Sequence, residues 1–166
     1  MGRRTIALAA GTLLFTLLVP LVIGLVVPLA LVQRSGAAAT PWWPLGALVA
    51  AAGATLYVWC AASFVLVGRG TPAPVAAPVV FVARGPYRVV RNPMYVAVIA
   101  AVLGEALAFG SDALVAYAGF LAIAFHLFVV LYEEPTLAAR FGASYEDYRR
   151  RVPRWLPTPR GAARSA

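Results

Sequence analysis

The sequence predicts an all-α integral membrane domain of four transmembrane helices ending in a helical hairpin and a cytoplasmic amphipathic helix, and three observations predict it. First, the 166 residues are 62% hydrophobic and 12% charged, with a mean hydropathy of +0.83. Average soluble chains are roughly 45–50% apolar and about 25% charged, so both departures point to the bilayer as solvent. Second, the apolar residues gather into long runs separated by short polar breaks. Third, the charge is one-sided: all fourteen basic residues are arginine against six acids, a net charge of +8. In a chain that is mostly membrane span, such charge serves topology and anionic lipid or cofactor groups, with no nucleic-acid partner implied. The single cysteine, Cys60, excludes an internal disulfide and a multi-cysteine metal site, and no metal is expected.

The first run, Thr5 to Val32, follows Arg3 and Arg4 and carries no charge, the pattern of a first transmembrane helix and far too long for a signal-peptide core. Pro20 and Pro28 predict a kink or an early end, and Gln33 to Pro41 reads as an exposed loop. Trp42 and Trp43 mark an interface before the second span, residues 45–67. Gly68 to Pro93 is a proline-interrupted connector in which Val79 to Val82 is too short to span and lies along the interface. The third span, residues 94–109, and the fourth, 113–132, are separated only by Gly110-Ser111-Asp112, which predicts an antiparallel hairpin with Ser111 or Asp112 capping the second helix. Glu134-Pro135 predicts the end of that helix and the start of another. Beyond it, Leu137, Phe141, Tyr145, Tyr148 and Val152 recur at helical spacing, an amphipathic face with Gly142 as a break point. Residues 133–166 form the cytoplasmic tail, and residues 1–166 form one domain.

Four spans put both termini on one side. Two arginines precede the first span, four lie in the connector (Arg69, Arg84, Arg88, Arg91) and seven in the tail, with Arg34 alone opposite. By the positive-inside rule the arginine-rich face is cytoplasmic, and the compactness of the chain suggests the cytoplasmic membrane.

Ionisable groups at the spans are the first functional suspects, because each is costly in hydrocarbon unless paired or wetted. The first two spans have none. Glu105 sits toward the outer leaflet. His126 and Glu133, seven residues apart, share one helix face. Glu133 and Glu134 meet the negative end of a helix macrodipole and need cationic partners, which the arginines of Arg84-Gly85-Pro86-Tyr87-Arg88-Val89-Val90-Arg91 can supply. Together with Tyr87, Tyr95, Tyr145 and Tyr148 these residues suggest a pocket of both charge signs, open to lipid.

The segment Gly85-Pro86-Tyr87-x-x-x-Arg91-Asn92-Pro93-Met94-Tyr95, followed by Glu133-Glu134-x-x-Leu137 and Phe141-Gly142-x-x-Tyr145-x-x-Tyr148-x-x-x-Val152-Pro153, resembles the isoprenylcysteine carboxyl methyltransferase and phospholipid methyltransferase family over residues 84 to 157. The resemblance implies an S-adenosylmethionine-dependent methyltransferase whose cofactor sits between the last two helices and the C-terminal segment, with a lipophilic substrate arriving from the bilayer. It implies cofactor contacts from Tyr87, Arg91, Asn92, Pro93, Tyr95, His126, Glu133, Glu134, Tyr145 and Tyr148, and catalytic roles for Arg91, Glu133 and Arg149. Where this chain has Asn92 the family often has histidine; asparagine donates and accepts but does not titrate near neutral pH. Gly68-Arg69-Gly70 is no Rossmann turn. Membrane lipids are the expected surroundings, with no protein partner. Two other readings stay open: a membrane reductase of the sterol-reductase type, and a non-catalytic four-helix membrane module.

Overall fold

The computed structural model describes residues 18–66 and 83–157, all of them helix, turn or loop. Residues 5–17 of the first predicted span, the predicted interfacial Val79 to Val82 and the arginines at 3, 4, 69, 160 and 164 lie outside the described residues. In order, the helices are α1 (Leu18–Ser35), α2 (Trp43–Leu66), a short 3-10 turn (Gly85–Arg88), α3 (Pro93–Phe109), α4 (Asp112–Phe128), α5 (Glu134–Phe141) and α6 (Ala143–Arg151). Three helical rods are long and apolar enough to cross a membrane: α1, α2 and the continuous Asp112–Phe141. The fourth expected span, α3, is apolar but has 17 residues.

The two prolines of α1 do not end it. The helix widens into a π turn at Val22–Val26, where the Val27 N–H bonds to the Val22 carbonyl. In that ladder the Ile23 carbonyl would take the N–H of residue 28, which is proline and has none. Tyr117 of α4 supplies the missing donor, its hydroxyl reaching the Ile23 carbonyl at 3.1 Å. The helix therefore runs on to Ser35 and turns out at Gly36, so the loop begins three residues later than Gln33. Thr40 ties that loop to the end of α3, donating its N–H to the Ala108 carbonyl at 2.8 Å and its hydroxyl to the Leu107 carbonyl at 3.0 Å.

The most extensive helix contact is α2 against α3, and its cause is the run of small residues Gly46, Ala50 and Gly53 facing Ala97, Ala101, Gly104 and Ala108. A Cβ on Gly46 would lie 2.5 Å from the Ala108 nitrogen and the Gly104 oxygen, so the two backbones touch. Between apolar helices in lipid, where no hydrophobic force favours contact, such close van der Waals packing supplies the attraction. Above this seam, Val98, Val102 and Ala106 of α3 meet Leu114, Ala118 and Leu121 of α4, with Ile23, Leu31 and Val32 of α1 packed against them. Helix α4 starts where the Ser111 side chain accepts the Leu114 N–H.

Pro135 does not terminate the last long helix. A π turn at Val129–Glu133 precedes it and α5 continues without a break, Pro135 standing in the first turn of α5. The widened turn relieves the clash between the proline ring and the carbonyl four residues earlier. The chain breaks at Gly142 instead, with φ +51 and ψ −128, a backbone region essentially closed to residues with a Cβ.

Candidate active site

Four segments converge where α3 begins and α4 passes into α5. Arg84 is extended and leads into the Gly85–Arg88 turn. That turn buries Pro86 and Tyr87, and Tyr87 packs beside Cys60 of α2. From below, the Tyr148 hydroxyl of α6 donates to the Tyr87 carbonyl at 2.6 Å. After α6 the chain becomes an irregular strap, residues 152–157, with bends at 152 and 154–156, which crosses the start of α3. The Arg91 N–H donates to the Pro153 carbonyl at 2.8 Å, and the Asn92 side-chain amide donates to the Arg154 carbonyl at 3.2 Å. Asn92 thus fastens the strap instead of capping α3, whose first residue is the fully buried Pro93.

The charged centre is Glu134, 7% exposed. Arg154 grips it as a fork, Nε to Oε1 at 2.7 Å and one terminal nitrogen to Oε2 at 2.9 Å. Arg91, its side chain 10% exposed, comes within 3.0 Å of Oε1. This is ion-pair distance without hydrogen-bond alignment, because Nε and that same terminal nitrogen of Arg91 are buried and have no hydrogen-bond partner. Tyr145 lies against the Arg91 guanidinium. Two guanidiniums face one carboxylate here, so the centre retains one unmatched positive charge.

Glu133 belongs to a second, more aromatic part. It accepts the Tyr95 hydroxyl on Oε2 at 2.8 Å. The Tyr95 ring packs on Phe125 at 4.7 Å between centroids and edge-on to Trp155 at 6.4 Å. The Trp155 indole N–H donates to His126 Nδ1 at 3.2 Å, which makes Nδ1 the acceptor nitrogen of that ring. His126 and Glu133 do not share a face in the plain i, i+7 sense, because the π turn between them adds residues to that turn and displaces Glu133 around the axis. Tyr95 and Trp155 rejoin them into one chain of contacts.

Burial pushes the phenol of Tyr87 well above its usual range, and those of Tyr145 and Tyr148 upward too. They remain neutral and are donors, not bases, around neutral pH. The hydrogen bond to Glu134 raises Arg154 further.

The residues expected at the site, Tyr87, Arg91, Asn92, Pro93, Tyr95, His126, Glu133, Glu134, Tyr145 and Tyr148, all lie in this cluster. Arg149 does not reach its centre: it is half-exposed and ion-paired at 2.9 Å with Glu146 on its own helix. The carboxylate that meets Arg91 is Glu134, with Glu133 bound to Tyr95. Sequence reading missed Arg154, Trp155 and Phe125; the proline-bracketed Pro153-Arg154-Trp155-Leu156-Pro157 was the available sign, since it fixes an extended segment carrying one cation and one ring.

A buried guanidinium whose Nε has no hydrogen-bond partner, an acid beside it and a cluster of aromatic rings suit a ligand carrying a carboxylate, an ammonium and a flat ring. No curated protein and no solved structure matches the chain. The phospholipid methyltransferase family profile matches residues 44–144, more than half of the sequence, from the start of α2 through the Glu133-Glu134 pair to the break at Gly142. A match over more than half of the chain, which includes Arg91 and Glu134 though not Arg154, shows that this chain belongs to the phospholipid methyltransferase family.

Proposed function

We propose that the protein is an integral membrane methyltransferase that uses S-adenosylmethionine on a lipophilic or lipid-borne acceptor, with both termini and the site on the cytoplasmic side. The observation that carries this reading is the buried Arg91, whose Nε has no hydrogen-bond partner and whose terminal nitrogen meets Glu134 at ion-pair distance only, since a buried guanidinium with an unmet donor is costly and suits an anionic ligand group. Arg91 would hold the cofactor carboxylate, Glu133 its ammonium, and the rings of Tyr95, Phe125 and Trp155 its adenine, with Tyr87, Asn92, Pro93, Glu134, Tyr145 and Tyr148 fixing those groups from behind. Bound there, the cofactor supplies a sulfonium-activated methyl group.

The remaining work falls to the chain. Exposed Leu127 and Leu131, on the same rod as His126 and Glu133, offer an apolar flank along which an acceptor reaches the site from the bilayer. The aromatic rings and the strap keep water from it, so charge neutralisation during transfer is not opposed by solvent. For a carboxylate or thiolate acceptor, positioning is sufficient. For an amine, Glu133 takes the proton lost, because the lone-pair nitrogen of His126, Nδ1, is engaged by the Trp155 indole. Asn92 cannot do so. Arg149, at the rim, is assigned to the acceptor's own charge.

Purified protein in detergent should bind S-adenosylmethionine in a calorimetric titration, with Arg91→Ala and Glu133→Gln each weakening it about tenfold or more. Wild-type affinity in both variants overturns the site, and thermal stabilisation by a reduced nicotinamide cofactor in place of S-adenosylmethionine would favour the reductase reading. Metabolite and lipid profiling with a labelled methyl donor then identifies the acceptor.

A further inference from the structure

The strap contributes a residue that neither the family motif nor the proposed cofactor contacts account for. We propose that Arg154 is a positioning residue, which occupies both oxygens of Glu134 so that the Arg91 guanidinium meets that carboxylate through one terminal nitrogen only and keeps its Nε uncommitted for the anionic end of the cofactor. The inference rests on the cofactor reading above and adds to it the device that keeps the anion site open.

Arg91 and Arg154 compete for one carboxylate. A lone carboxylate beside a lone guanidinium settles into a two-point pair, which is the strongest geometry available to both. If Glu134 met only Arg91, the guanidinium would turn to match it and commit its Nε as well. Arg154 prevents this by taking the fork itself, at 2.7 and 2.9 Å, leaving Arg91 the single approach at 3.0 Å. Arg91 is thereby held in place by charge without being saturated. The strap does not depend on the Arg154 side chain for its path, because its main chain is tied separately to the Arg91 N–H and the Asn92 amide, and Trp155 is tied to His126. Removing the Arg154 side chain therefore frees Glu134 while the wall of the site stays where it is.

The test is equilibrium binding to the full chain in detergent, with S-adenosylmethionine and with methylthioadenosine, which lacks the carboxylate and ammonium. Arg154→Ala should weaken S-adenosylmethionine about tenfold or more and leave methylthioadenosine unchanged. Arg154→Lys, which restores charge without the fork, should recover only part of the loss. In a Glu134→Gln background the Arg154→Ala change should add nothing, because its effect passes through Glu134. An Arg154→Ala protein that binds S-adenosylmethionine like wild type overturns the proposal, as does an equal loss for both ligands, which would mark a structural role for the strap. Failure of the wild-type protein to bind S-adenosylmethionine would instead overturn the cofactor reading.

Discussion

Glu134 carries one negative charge against two guanidiniums, so its removal leaves two buried or half-buried cations facing each other. Breaking a buried pair by deleting one partner typically costs about 3–5 kcal/mol. Glu134→Gln should therefore lower the thermal midpoint in detergent clearly, whereas Glu146→Gln, which loses only an exposed pair with Arg149, should leave it within about 0.5 kcal/mol of wild type. The three buried phenols set a pH dependence. Tyr87, Tyr145 and Tyr148 have values raised by burial in the fold, so the stability they contribute is complete below their ordinary value, about 10, and is lost as the pH climbs through the raised values. Thermal midpoints measured between pH 7 and pH 11 should show no tyrosine-linked fall below pH 9 and a decline above 10. These single-residue roles were legible only in part. Arg91, Glu133 and Glu134 stood out because charge at a helix end demands a partner, but which acid meets which arginine depends on side-chain direction, and that was set by a π turn with no signature in residue spacing.

Elements are held here by two devices of different visibility. The α2–α3 seam is built from glycine and alanine, and Gly104→Ala should destabilise the protein by about 1–3 kcal/mol or more, since the added Cβ would sit 2.5 Å from the Ala50 nitrogen. The other device is the bond from Tyr117 to the Ile23 carbonyl that Pro28 leaves without a donor. Tyr117→Phe should cost about 1–3 kcal/mol, and a good part of that cost should vanish in a Pro28→Ala background, where an N–H is restored; thermal midpoints of the four proteins check both statements. Hydropathy located the apolar runs well, with α2 falling within two residues of its expected start and one of its expected end. Proline was only a partial guide: a kink or an early end was expected from Pro20 and Pro28, and at Pro135 the end of one helix and the start of another, of which the start is observed. In each case the helix runs on through a π turn, and at Pro28 the compensating donor comes from a residue far along the chain, invisible to any local rule.

At the scale of the molecule, the arginine asymmetry makes a topological claim. Cys60 is fully buried, so single cysteines added at exposed positions can be read against a quiet background. Ala38→Cys should react with a membrane-impermeant maleimide in intact cells, and Ser144→Cys only after the membrane is opened. The converse result would reverse the orientation. The main features of the candidate site were visible in sequence because the motifs around Arg91 and Glu133 carry charge and aromatic residues in a distinctive order. The strap was legible only in part: its prolines suggest an extended, interface-anchored end, but the segment bends at 154–156, and an irregular stretch without periodicity shows its role only through the groups it touches. Its position in the chain has a consequence for biosynthesis. Residues 152–157 follow the described membrane-crossing helices, so those helices can enter the bilayer while the site still lacks one wall. A nascent chain halted after Arg151 would hold the described helices and none of the strap's tethers to Arg91, Asn92, Glu134 and His126, which makes closing that wall a step that follows their insertion and cannot guide it.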